Sequence, residues 1–488
     1  MIYPAPGVYP PATNLNPHHV QEPASAIPAF VGYTARAAWR DKDLSGQPTR
    51  IGSLFDYEQR FGGAPTPAQL RVTLDRYNQP QQVELRHHYL LYAALQLYFA
   101  NGGGPCYIVS AGPYQAKGRK SLAELSRGLA VLANQEQVTL LLCPDAVLLP
   151  AEQRDSLQHL MLQQSAQCGD RFALLDLAEG PDHATAVDQF RQGIGTQHLA
   201  FGAAYTPHLR STFSVEFSPA DIQLRRNGVS VSLAAVSRQA GIDSASLHAW
   251  EQAHAQAQTR PSDTEYQLNA QHQALRLEKS NPIYAAVVQA IRAAGVVVPP
   301  SAAIAGVYVR VDRDRGVWKA PANVTLNQVN ALSYSIDNAN QRGLNLDPGE
   351  GKSINAIRAF SGRGILVWGA RTLAGNDPQW RYIPVRRCCS LIEEALYSST
   401  RWAVFEPNDA NLWQPLRAMI DRYLTQKWRA GGLQGHKPSE AFYVRVGLGS
   451  TMTQTDIDAG RLIIQVGVAL VRPAEFIPLR LCLQMQQP

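Results

Sequence analysis

The stretch Ile354–Leu373 reads INAIRAFSGRGILVWGARTL, and its interpretation decides how the rest of the chain is understood. It contains the glycines Gly362, Gly364 and Gly369, the arginines Arg358, Arg363 and Arg371, and Trp368. Taken alone, Gly362-Arg363-Gly364 invites comparison with a phosphate-binding loop. The spacing is not G-x-G-x-x-G and no strand–turn–helix pattern surrounds it, so a tight turn between strands is the expectation. Gly112–Ser121 (GPYQAKGRKS) fails a similar test. Five residues separate its glycines where a phosphate loop has four, and Arg119 stands where lysine belongs. Its N–H groups would therefore not converge on a phosphate.

Other chemistry is equally thin. H-E-x-x-H, G-x-S-x-G and calcium-loop patterns do not occur. The pairs His18-His19 and His87-His88 are adjacent in sequence and point to different sides of any regular element, a poor geometry for holding one metal. Glu393 and Glu394 are neighbours in an expected helix and read as solvated. Asp312, Arg313, Asp314 and Arg315 alternate in sign and suit exposed or interface ion pairs, individually weak but meaningful when repeated through a polymer. Cys106, Cys143, Cys168, Cys388, Cys389 and Cys482 show no C-x-x-C spacing, which suits reduced thiols in a cytoplasmic product rather than a zinc site or disulfide framework. No catalytic, metal or cofactor site is expected.

A chain of 488 residues with 45% hydrophobic and 17% charged residues fits a folded soluble protein of several domains. No run of about 18 apolar residues predicts a membrane span, and the N-terminus lacks the pattern of a secretory signal. The net charge of +6 is uneven: residues 301–488 hold 22 Lys+Arg against 15 Asp+Glu, leaving 23 against 24 in residues 1–300. A basic surplus in one region suits either solvated faces or an acidic partner. No dense basic run interleaved with aromatics points to nucleic acid.

Periodicity places the elements. Six prolines within residues 1–25 predict an extended arm, with Ile2, Tyr3, Val8 and Tyr9 lacking local partners. Residues 26–120 begin a compact core, with a strand at Ala29–Thr34, helices at Ser53–Phe61 and His88–Ala100, and a strand from Cys106. Residues 121–208 alternate helix and apolar strand, the signature of a parallel sheet buried on both faces. Residues 209–298 turn rich in Gln, Ala, Ser and His, with few large apolar groups after Val236, and read as an exposed, partly helical peripheral insertion. Residues 299–475 form a further core. There Leu412, Leu416, Met419, Ile420, Tyr423 and Leu424 share one face of a helix capped by Asn408 or Asp409. The segment 476–488 is a strand whose faces carry Ile477, Leu479, Leu481 and Leu483 on one side and Phe476 on the other.

Read together, INAIRAFSGRGILVWGARTL, GVYVRVDRDRGVWKAPAN (Gly306–Asn323), FEPNDANLWQPLRAMI (Phe405–Ile420) and TMTQTDIDAGRLIIQVGVALVRPAEFI (Thr451–Ile477) resemble the C-terminal core of contractile tail sheath proteins of bacteriophages and phage-tail-like injection systems. The phrase FANGGGPCYIV is similar to the family's N-terminal core. The resemblance covers 299–485 strongly and 29–205 more loosely. It implies a mixed α/β, multidomain structural protein: a helical homopolymer around an inner tube, contracting on a baseplate signal. The arms would donate strands to neighbouring subunits, through Ile2, Tyr3, Val8 and Tyr9 at one end and Phe476, Ile477, Leu479, Leu481 and Leu483 at the other. Arg417, Arg422, Lys427 and Arg429 would face a tube with an acidic outer surface. Baseplate and tail-terminator proteins are the further implied partners, with no direct nucleic-acid contact and no membrane insertion. Assembly would be in the bacterial cytoplasm, in a particle that can be released. Phage and injection system remain alternatives, and an α/β nucleotide-binding protein or enzyme is the rival class.

Overall fold

The run PAFVGYT, Pro28–Thr34, is buried at every position, as a strand covered on both faces must be. It is the third strand from one margin of a nine-stranded sheet whose order is Val324–Thr325, Gly364–Val367, Asn355–Phe360, Gly202–Thr206, Phe172–Asp176, Leu140–Leu142, Pro28–Thr34, Cys106–Pro113 and Thr49–Ile51. From Asn355–Phe360 to Cys106–Pro113 every neighbouring pair is parallel, and the flanking strands are antiparallel. Helices Leu122–Ala130, Ala151–Cys168 and His183–Gly193 supply the crossovers. Their inward faces (Leu125, Leu157, Met161, Val187, Phe190) join Val31, Val109, Leu141 and Leu175 in one buried cluster. Mixed α/β is therefore the fold class.

This computed structural model describes residues 19–475 apart from 116–117, 181, 261–262 and 348. The arm positions Ile2, Tyr3, Val8, Tyr9, Phe476, Ile477, Leu479, Leu481 and Leu483 lie outside the described residues. The described residues divide into two units, 26–310 with 321–377, and 19–25 with 311–320 and 378–475. The expected single core 299–475 is thus divided, with the boundary inside the helix Ser301–Arg315. Strand register explains the split. Asn355–Phe360 adds to the parallel sheet beside Gly202–Thr206, whereas the stripe of helix Ala410–Arg429 packs on Cys388, Leu391 and Ile392 in the smaller unit.

The opening stretch is a hairpin, Asn355–Phe360 against Gly364–Val367, turning through Gly362 and Gly364 at φ 72° and 79°. Positive φ at both positions is what glycine supplies, so the turn reading holds. Its arginines have local partners. Arg371 is buried and donates to the Asn345 carbonyl at 2.9 Å. Arg358 lies over the Phe360 ring at 5.2 Å and donates to Asn338 and Gln341. The exposed Arg363 donates to Asn323 Oδ1 at 2.6 Å.

The segment 209–298 is mostly helical, with Ala245–Thr259, Thr264–Ser280 and Pro282–Ala294 its longest elements. Two features differ from the expectation. It is not sparse in core: Leu247, Trp250, Leu277, Tyr284 and Val288 are buried together. Nor is it built from one stretch of chain. Its strand Ile222–Arg226 runs parallel to Pro67–Leu74, which pairs in turn with Pro80–His87, so residues expected within the 26–120 core belong to this sheet. Leu70, Val72 and Leu74 pack with Leu224, Ile283, Val287 and Ile291, and that shared burial holds the two segments together.

Candidate assembly surface

Carboxyl ends of parallel strands are where α/β folds usually place active sites. Here the groups at those ends are engaged in holding backbone. Asp176 accepts from Ser301 N–H at 2.8 Å and Ser301 hydroxyl at 2.5 Å, fixing the start of helix Ser301–Arg315; burial pushes its carboxyl up to about 7. Asp145 accepts from Tyr33 N–H at 3.0 Å and Leu90 N–H at 2.6 Å, and burial raises it too. His208 bonds the Leu177 carbonyl at 2.7 Å through Nε2, with its pKa lowered by burial. Among the described residues no group of three or more His, Cys, Asp and Glu could hold a metal. Asp176 and Asp145 of the larger unit thus serve its backbone.

The smaller unit is different. Helix Ala410–Arg429 begins at Asp409, whose carboxylate accepts from the N–H groups of Asn411 and Leu412 at 2.8 and 3.3 Å. Leu412, Leu416, Met419, Ile420, Tyr423 and Leu424 are its buried side chains, the stripe expected from spacing. On the other face Arg417, Arg422 and Arg429 are exposed, with Arg417 3.6 Å from Asp421. Arg422 and Arg429 are seven residues apart, which aligns them on one side about 10 Å apart along the axis.

Lys427 departs from that group. It pairs with Glu22 and lies over the rings of Trp318 at 5.3 Å and Tyr423 at 5.6 Å. Its side chain is only 13% exposed, so it closes the inside of this unit rather than facing outward. Spacing put it among the outward arginines; the acidic partner that turns it inward is some four hundred residues away.

Glu22 belongs to the root of the N-terminal arm, which is bonded in at several points. Gln21 N–H donates to Ser399 Oγ at 3.0 Å, and Ser25 hydroxyl donates to Asp312 at 2.7 Å. Asp312 also accepts two bonds from Arg387, at 3.0 and 2.6 Å, and both side chains are 4% exposed. Of the four alternating charges Asp312 is thus drawn into a buried ion pair, while Arg313 and Asp314 remain outside at 64% and 51%. The root of the C-terminal arm is tied to the same unit. Arg472 donates to the Pro378 carbonyl at 3.0 Å, and Tyr382 hydroxyl donates to Glu475 at 3.1 Å.

The same unit holds a sheet of two strands, Phe442–Val446 antiparallel to Ile464–Val468. Its inner residue Val444 joins the helix stripe in the core, and Tyr443 on the alternate face is 46% exposed. The connection between the strands is stiffened at Asp456. Its carboxyl accepts from Thr453 N–H and hydroxyl and from Arg461, interactions that hold it down at about 2. A two-stranded ribbon of this kind presents backbone hydrogen-bonding groups along its free edges, a template for an added strand.

The family described as phage tail sheath C-terminal domain matches residues 375–483. A tail sheath protein of Vibrio phage KVP40 is 28% identical over 139 residues, 28% of this chain and 20% of that protein. The tail sheath protein of Enterobacteria phage T4 is 26% identical over 141 residues, 29% and 21% of the two chains. The chain thus spans about a fifth of these phage relatives. Among solved structures, the helical sheath of the anti-feeding prophage in its contracted state is 32% identical, covering 99% of both chains with a TM-score of 0.61. The sheath complex of the PVC extracellular contractile injection system, also contracted, is 28% identical over 99% of this chain and 98% of that one, with a TM-score of 0.62.

Proposed function

The chain belongs to the contractile tail sheath family, and from that premise we propose that it is the structural subunit of a sheath in a phage-tail-like contractile injection system. Copies of it polymerise helically around an inner tube and contract to drive the tube through a target envelope. The observation that carries this reading is the extent of likeness. The anti-feeding prophage sheath is matched end to end, including the peripheral 209–298 segment, whereas the phage proteins match over little more than a quarter of the chain. A myophage virion is the second reading, supported by the phage tail sheath names among the relatives.

The smaller unit is the assembly module. Both arm roots are bonded to it, and its two-stranded sheet has edges to offer. Ile2, Tyr3, Val8 and Tyr9 of one neighbour, and Phe476, Ile477, Leu479, Leu481 and Leu483 of another, would extend that sheet by strand addition. Main-chain pairing of this kind persists while rigid bodies rotate about it. Arg417, Arg422 and Arg429 are the candidates for an acidic tube; Lys427 is withdrawn from that set. Baseplate and terminator proteins would meet the ends of the polymer, which would assemble in the bacterial cytoplasm and be released with the particle. Contraction would draw on the energy of a metastable extended state rather than on catalysis.

Negative-stain microscopy of particles purified from cells expressing the whole gene cluster tests this. Striated sheaths without a DNA-filled head are the expected result. Headed particles would establish the virion reading, and no sheath containing this chain would overturn both.

A further inference from the structure

The loop that links helix Ile383–Ser399 to helix Ala410–Arg429 carries a side chain with no role inside its own molecule. Phe405 is fully exposed, and Val404 beside it is 61% exposed. The backbone of Phe405 has φ 71°, a left-handed conformation that a bulky aromatic residue adopts only under constraint. The constraint is visible on both sides. Glu406 N–H bonds the Ala403 carbonyl at 3.3 Å and Asp409 N–H bonds the Pro407 carbonyl at 2.9 Å. Asn408 accepts from Trp413 Nε1 at 2.8 Å and donates to the Arg461 carbonyl at 3.0 Å. A braced loop thus holds an apolar ring in water, with the exposed acid Glu406 next to it. Strain and exposure of this kind mark a contact made elsewhere.

The same unit bears a hollow of matching character. A cavity of about 350 Å³ is floored by Trp318, Val471 and Pro473 and rimmed by Arg315, Lys319 and Arg472. Trp318 is closely packed, since a side chain at Gly316 or Gly432 would meet its ring at 2.5 or 3.0 Å. None of the three rim cations forms an ion pair with a described residue, and neither does Glu406. Knob and hollow are opposite in charge and both apolar at the centre. In its own chain Phe405 stands free in solvent, so its own hollow does not receive it.

We propose that Phe405 and Glu406 of one copy dock into the Trp318 hollow of a second copy, as a contact that recurs through the sheath. Knob and hollow are separate patches of one chain, so a copy that fills one neighbour's hollow can keep its own hollow for a third copy, and a heterologous contact of that kind can propagate into an open helical polymer. The buried ring supplies the apolar contact, and Glu406 among three cations sets the register. This rests on the polymerisation proposed above.

The test uses the full chain assembled with its particle components, reading the fraction of sheath recovered in pelleted particles and the melting temperature of the unassembled chain. Phe405→Ala lowers the pelleted fraction by about tenfold or more, as loss of a central aromatic anchor does. The melting temperature is unchanged, because the exposed ring packs against nothing in its own molecule and alanine keeps the Cβ from which the left-handed strain arises. Glu406→Arg impairs assembly, and Glu406→Arg combined with Arg315→Glu restores it. Unimpaired Phe405→Ala sheath beside normal wild-type sheath overturns this contact alone, and so does failure of the double exchange to restore assembly. Phe405→Ala that polymerises freely without tube but fails on tubes makes the tube the occupant and also overturns it. A wild-type chain that never pellets as sheath overturns the functional reading together with the contact.

Discussion

The molecule contains two sheets that solve opposite problems. In the larger unit the parallel strands are mostly buried, flanked by antiparallel strands and covered by helices. In the smaller unit the sheet has two strands, one face in the core and the other toward solvent, with a further bridge from Leu433 to Leu470 beyond its end. An isolated pair of strands is marginally stable in water, and more strands are needed to make such a sheet robust. The first sheet is complete as folded, and the second is read here as waiting for strands from other copies. The difference teaches where to look for assembly in a protein of this class: at the element that is underbuilt.

That contrast can be broken by truncation, where the largest effect lies. Deleting Met1–Pro11 or Leu479–Pro488 should leave a monomer with unaltered far-UV circular dichroism and melting temperature and abolish polymer seen by electron microscopy. Intact tubes from either deletion would mean that the small sheet does not need the arms. A milder attack is on the root of the N-terminal arm. Replacing Arg387 by Ala leaves Asp312 buried without its cation. Breaking a buried pair in this way costs about 3–5 kcal/mol, measurable by denaturant titration as a loss confined to the smaller unit. The smallest effect is on the outward face of helix Ala410–Arg429. Reversing Arg422 and Arg429 together to Glu should reduce assembly on tubes by about tenfold in low salt, since exposed charges each contribute about 1 kcal/mol or less. The melting temperature should not move. Normal assembly of this double variant would remove the tube contact from the helix.

Much of this architecture was legible because it is written in short-range periodicity. The buried face of Ala410–Arg429 follows from the spacing of Leu412 to Leu424, and the alternation after residue 121 announces the parallel sheet. What escaped depends on partners far apart in sequence. Pro67–Leu74 is not singled out by its sequence, and nothing local says that it lies beside Ile222–Arg226. The sign alternation of Asp312 to Arg315 looks like a solvated run until Arg387 arrives to bury its first member. Lys427 sits among outward arginines by number and is turned inward by Glu22. Phe405 carries no signal in periodicity at all, because its meaning lies in a backbone angle and in solvent exposure.

The hairpin Asn355–Phe360/Gly364–Val367 has a consequence for how a sheath can be made at high cellular concentration without tangling. It lies beside Gly202–Thr206, where the parallel sheet would otherwise be open, and beyond it only Val324–Thr325, two residues long, remains as the outermost strand. At the opposite margin the last strand is Thr49–Ile51, three residues long. Strands that short give a stray copy almost nothing to grip. The largest β-surface in the molecule is thereby rendered inert toward its siblings, so growth is channelled through a few chosen valences instead of condensing into a disordered mass.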